Sequence, residues 1–141
     1  MKRWWLVLFM FTVSVSLNAE QMQKFGDWEV HYILVPTTFL KPAIAEQYGI
    51  VRGRDRAYLN ISVLDGALEP SLVGIEGTMT NLLGQQQHLE FREVREGSAV
   101  YYLTAIKYTD REVLRFNILV TPPGDSTKTL KFQQKMYWDG R

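Results

Sequence analysis

The chain has 141 residues, 46% of them hydrophobic and 13% aromatic, with no cysteine and a formal net charge of +1. That length suits one domain with one core, and the lack of cysteine excludes a disulfide framework and a thiol nucleophile. A charge this near zero supplies no field to draw in nucleic acid or anionic lipid.

The chain opens with Lys2 and Arg3, runs through apolar residues from Trp4 to Val15 and reaches Ser16-Leu17-Asn18-Ala19. A cationic start, an apolar middle and a small-residue exit are the three parts of a secretory signal. Residues 1–19 are therefore expected to be a signal peptide cut after Ala19, with a periplasmic address. The apolar run holds 12 residues, whereas a spanning helix needs about 20. No permanent membrane anchor is expected. Residues 20–141 then form a single domain with 14 basic against 15 acidic side chains.

Residues 20–24 read as a short polar lead. The stretch from Phe25 to Val35 is dense in strand formers and is closed by Pro36. Within it Trp28, Val30 and Tyr32 share one face, and Glu29 and His31 point the other way. The one helical signal follows, from Thr38 to Gly49. Pro42 fits a first turn, Ala43 and Ala45 favour helix, and Gly49 suits a stop. Two turns cannot stand alone in water, so this helix must dock on the sheet.

After the polar turn Arg52-Gly53-Arg54-Asp55-Arg56 the chain is a succession of strand-like runs: 57–64, 72–83, 87–95, 99–108, 112–121 and 127–138. Gly74 and Gly77 inside the second of these suggest a bulge or bend. Residues 113–120 are apolar on both faces except for Arg115 and Asn117, as a central strand would be. Lys131, Gln133 and Lys135 alternate with Leu130, Phe132 and Met136, the pattern of a half-solvated edge. Seven strands, one helix and no βαβ rhythm predict an all-β fold, an antiparallel sandwich of immunoglobulin-like type, with a barrel as the alternative.

The sequence holds no phosphate loop, dinucleotide fingerprint, zinc spacing or calcium loop. His31 and His88 lie 57 residues apart, so neither a metal site nor a cofactor is expected. Asp27, His31 and Ser62 or Ser98 could meet as a hydrolytic triad, but none of these serines sits in a Gly-x-Ser-x-Gly elbow. The other reading of His31 is a partly exposed strand histidine. Arg52, Arg54 and Arg56 could project to one side of an extended segment and hold a small anion. Alternatively, Asp55 and Glu46 pair with them in a solvated loop. Tyr48, Phe39 and His31 line a pocket beside these arginines if the helix folds back over the first strand. The candidate binding set is thus His31, Phe39, Tyr48, Arg52, Arg54 and Arg56. Asn60-Ile61-Ser62 matches a glycosylation pattern inside a predicted strand. Tyr101, Tyr102, Phe116, Phe132, Tyr137 and Trp138 read as core and cross-strand pairs.

Several segments carry a family resemblance: Gly26-Asp27-Trp28-Glu29-Val30-His31-Tyr32, Thr38-Phe39-Leu40 with Pro42, Ala45-Glu46-Gln47-Tyr48-Gly49-Ile50, and the arginine turn leading to Asn60-Ile61-Ser62-Val63. Together they resemble the bacterial family catalogued as domain of unknown function 4426, small exported proteins of Gram-negative bacteria. The resemblance spans about residues 20–138 and is most specific in its first third. It implies a periplasmic single domain and supplies no reaction.

These observations lead to a non-catalytic periplasmic binding or accessory module that acts through a protein or peptide partner, with the 127–135 edge open to strand addition. The alternatives are binding of a small anion or small molecule at the Tyr48/Arg52–Arg56 corner, and a hydrolase using His31.

Overall fold

The computed structural model describes residues 20–138; the expected signal segment, 1–19, lies outside the described residues. Nine strands fill this span: β1 (Gln21–Phe25), β2 (Trp28–Pro36), β3 (Arg56–Leu64), β4 (Gly74–Asn81), β5 (Gln86–Leu89), β6 (Arg92–Glu96), β7 (Ala99–Lys107), β8 (Val113–Thr121) and β9 (Lys128–Lys135). A 3-10 turn, Thr37–Phe39, and one helix, α1 (Pro42–Gln47), connect β2 to β3.

The strands form two antiparallel sheets in the orders β1-β2-β3-β7-β6 and β5-β4-β8-β9. Setting β1 aside, the orders β2-β3-β7-β6 and β5-β4-β8-β9 reproduce the ABED and C′CFG arrangement of an immunoglobulin-like sandwich. The expected fold class therefore holds. β8 is interior to its sheet and β9 is an edge, as the hydrophobic patterns of those segments predict.

Two strands differ from expectation. The polar lead is β1, a mostly exposed edge strand paired with β2 through a two-residue turn at Gly26-Asp27. Gly26 takes φ +61°, a conformation glycine adopts without a Cβ clash. The run 87–95 is two strands: β5 pairs with β4 in one sheet, and β6 pairs with β7 in the other. The chain crosses between the sheets at Glu90-Phe91.

Each strand has one inward row. In β3, Ala57, Leu59, Ile61 and Val63 are closed to solvent, and they meet Leu114, Phe116, Ile118 and Val120 of β8 in one core. Period-two alternation places these residues on one face. Each fully buried Leu or Ile contributes about 1.5–3 kcal/mol by leaving water. This cysteine-free core carries an aromatic stack between the sheets. Phe132 lies between Tyr32 and Phe116, with centroid distances of 4.5 and 4.6 Å.

Gly77 does not mark a bulge, because the β4–β8 register is continuous from Gly74↔Thr121 to Asn81↔Leu114. A Cβ at Gly77 would come within 2.6 Å of Ile118 Cδ1 and 3.1 Å of the Asn117 carbonyl. The glycine lets β8 pass close.

A candidate binding cavity under the helix

The outer face of the first sheet carries the even-numbered residues of β3, namely Tyr58, Asn60 and Ser62, beside Tyr101 and Leu103 of β7. Helix α1 crosses this face. Ile44 and the C-cap residue Tyr48 stand four residues apart on one helical side, and with Leu40 of the extended segment before the helix they line a cavity of ≈ 360 Å³ between helix and sheet. Ile50, Val94 and Leu103 complete its apolar wall. Its polar groups are Tyr58, Tyr101, Asn60, Glu20 and Glu96.

The roof is short but tied at several points. Lys41 precedes the helix without a side-chain cap, and Pro42 occupies the first turn. At the other end Gly49, at φ +65°, donates to Glu46 O, and Ile50 donates to Ala45 O at 2.8 Å. That paired closure is a Schellman motif, and it turns Ile50 toward the cavity. Arg92 Nη1 of β6 donates to Tyr48 O at 2.8 Å, a cation at a helix C-terminus. Thr37 is closed to solvent, and its hydroxyl receives Gly53 N–H at 3.0 Å while lying 3.1 Å from Gly53 O and Arg56 O. This one side chain pins the start of the helical connection to its end.

Two buried side-chain atoms among the described residues have no hydrogen-bond partner: Asn60 Oδ1 and His31 Nε2. Both residues lie on this outer face, His31 opposite Ser62 and Asn60 opposite Ile33. An acceptor shut from water without a donor costs about 1–3 kcal/mol. Asn60 lines the cavity, as does Glu20. Glu20 Oε1 lies 2.9 Å from His31 Nδ1 and holds the imidazole from that side. Glu29 Oε1 lies 3.7 Å from Nε2. Burial pushes the Tyr58 phenol above its ordinary pKa, so it stays neutral and able to donate.

The predicted site residues separate into distinct places. Tyr48 lines the cavity, and His31 stands behind Glu20 at its margin. Phe39 is exposed and lines a different depression with Pro36, Tyr137 and Trp138. Arg52 Nη2 donates to Thr38 O at 3.1 Å. The Arg54 guanidinium sits over the Trp138 ring at 4.7 Å. Arg56 begins β3, opposite Lys107. None of the three arginines lines the α1 cavity.

A hydrolytic triad does not converge on His31. Asp27 lies against Gly66, Ser98 follows Gly97 in the β6–β7 turn, and His31 Nε2 has no hydrogen-bond partner even with Ser62 opposite in the ladder. Among the described residues no three or more His, Cys, Asp or Glu group together as a metal site. No helix among them is long and apolar enough to cross a membrane.

Sequence reasoning missed Asn60, Tyr58, Tyr101 and Glu96. Tyr58 and Asn60 alternate with fully buried residues, so their outward placement was readable from β3. Their burial beneath α1 was not, because it depends on where the helix lands.

A second depression of ≈ 490 Å³ lies against β8 and β9 and includes Arg115, Asn117, Lys131 and Gln133. It is larger, but neither of the unpartnered buried atoms belongs to its lining.

Comparison with known proteins assigns the family. The model for the family described as "Domain of unknown function (DUF4426)" matches residues 22–139. The chain belongs to DUF4426. A crystal structure of a DUF4426 family protein from Pseudomonas aeruginosa PAO1 is 33% identical, with a TM-score of 0.77, covering 86% of this chain and 97% of that one. FetP from uropathogenic Escherichia coli strain F11, recombinantly expressed in the periplasm of E. coli, shares the fold at 13% identity and a TM-score of 0.59, over 88% of this chain and 97% of its own. A copper-bound variant of FetP aligns similarly, at 14% identity and a TM-score of 0.60, over 86% of this chain and 97% of that chain. No curated protein matches the chain.

Proposed function

We propose that this DUF4426 protein is an exported, non-catalytic binding module whose ligand site is the cavity between α1 and the outer face of the first sheet. The ligand is a small molecule or the projecting group of a protein or peptide partner. The observation that carries this reading is the buried, unpartnered Asn60 Oδ1 on a residue lining a cavity of mixed apolar and polar walls. Ligand pockets are mostly apolar with a few placed polar groups, and a bound donor would relieve the orphan acceptor. The secretory pattern of residues 1–19 and the periplasmic expression of the similarly folded FetP support the exported placement.

The test is thermal shift of the purified protein against a panel of amines, anions, polyols and cell-wall fragments, beside Val94→Trp, which fills the cavity. A ligand at 100 times its Kd adds about 2.7 kcal/mol, readily visible as a raised melting temperature. A shift present in wild type and absent in Val94→Trp supports the site. A shift retained in Val94→Trp moves binding elsewhere, the β9 edge being the first alternative.

His31 favours a second reading, a copper site. Glu20 engages Nδ1 and leaves Nε2 without a hydrogen-bond partner, the arrangement in which a carboxylate orients a metal-binding imidazole. Glu29 is 3.7 Å from Nε2, and Met22 pairs with His31 across β1 and β2, adding a thioether suited to Cu(I). The copper-bound FetP variant shows that a protein of this fold can hold the metal. Copper retained by wild type and lost in both His31→Gln and Met22→Leu supports this reading; equal retention by all three contradicts it.

A further inference from the structure

We infer that the chemical group recognised in the α1 cavity is an organic ammonium, carried by a free amine or by a lysine or amino terminus of a peptide. This rests on the cavity being the ligand site. Its charged side chains have one sign: Glu20 and Glu96 are exposed, and among the described residues neither lysine nor arginine lines it; an opposing charge would be the α-amino group that a cut after Ala19 leaves on Glu20. The cation beside it, Arg92, is held by Tyr48 O.

The remaining polar lining points the same way. Tyr48, Tyr58 and Tyr101 offer a cation either a negative ring face or a hydroxyl lone pair. Asn60 Oδ1 is an acceptor without a donor; it is closed to solvent, and a flip that exchanges the two near-equivalent ends of the amide would be needed to present it to the cavity that Asn60 lines. Carboxylates, phenols and an amide carbonyl together can accept several N–H donors, and an ammonium supplies three with a full charge. An anion would meet two carboxylates at the entrance. Leu40, Ile44, Val94 and Leu103 give an alkyl chain an apolar wall.

Backbone-amide NMR titrations with n-pentylammonium, n-pentanol and pentanoate separate these possibilities. They are run at neutral pH and near pH 9, where an α-amino group on Glu20, left by a cut after Ala19, would be neutral while the probe stays charged. Pentylammonium is expected to shift the amides of Tyr48, Asn60 and Tyr101, with pentanol about tenfold weaker and pentanoate inert. Glu20→Gln with Glu96→Gln should weaken pentylammonium about tenfold and leave pentanol unchanged. Pentanol or pentanoate binding as tightly at the same amides overturns the ammonium assignment and leaves the site standing. Failure of every probe to move those amides overturns the site together with the assignment. Once the ammonium binds, a lysine peptide that binds tighter than pentylammonium identifies a peptide source, and a weaker one identifies a free amine.

Discussion

The two faces of β3 are made by nine consecutive residues under one backbone geometry, yet they have been put to different uses. Facing inward, Ala57, Leu59, Ile61 and Val63 are wholly apolar and closed to solvent. Facing outward, Tyr58, Asn60 and Ser62 are only partly buried, and beneath α1 the Asn60 carbonyl has no partner. A sandwich needs one face of each sheet for its core, and the second face is ordinarily left to water. Here a two-turn helix partly covers that second face and leaves a cavity. Stability resides in the inner face, and the proposed binding site lies on the outer one.

Truncation on the inner face should have the largest effect. Leu59→Ala removes a side chain with no exposed surface and is expected to lose about 2–5 kcal/mol in urea unfolding, along the whole transition. Next comes the roof. Thr37→Val keeps the shape but strips Gly53 N–H of its acceptor, with an expected cost of about 1–3 kcal/mol. Hydrogen exchange should localise its effect to 37–56 and leave β8 protected. A Thr37 effect spread evenly through both sheets would erase the distinction between roof and core.

Smaller still is Arg92→Ala, which frees the exposed bond to Tyr48 O and should cost under about 1 kcal/mol while loosening the helix C-terminus. The smallest effect concerns a link between sheets. Asp125 accepts from Ser126 N–H first, then Lys128 and Trp28, and these hold its carboxyl below the usual carboxylate range. A lowered folded pKa adds stability above the unfolded value and loses it as pH falls through the folded one. Asp125→Asn should therefore lower the melting temperature slightly at neutral pH, flatten the acid limb, and converge with wild type as pH falls below about 4.

Much of the inner face was legible in the chain. The alternation in 57–64 and 127–138, and the doubly apolar run 113–120, identify an interior and an edge strand because period-two burial leaves a direct imprint. β1 was hidden by its composition: Gln21, Gln23 and Lys24 are exposed at an edge, and backbone pairing alone makes them a strand. Gly26-Asp27, a two-residue turn between Phe25 and Trp28, was the available signal. The β5–β6 break carried none, because Glu90 and Phe91 cross between sheets without glycine or proline. Of the predicted corner, Tyr48 and His31 fall at or beside the cavity, while Phe39 and the arginines go elsewhere. Spacing of two does aim residues to one side of a strand, but Arg52 and Arg54 precede β3 in a bent connection, where that rule has no hold.

The most direct measurement compares Asn60→Leu with wild type by urea unfolding and by melting with and without n-pentylammonium. Leucine is close to asparagine in shape and removes the orphan carbonyl, which can make such a replacement neutral or stabilising. The account predicts a variant as stable as wild type, or more so by up to about 1–3 kcal/mol, that no longer gains stability from the probe. A variant that is destabilised and still responds to the probe like wild type would contradict it.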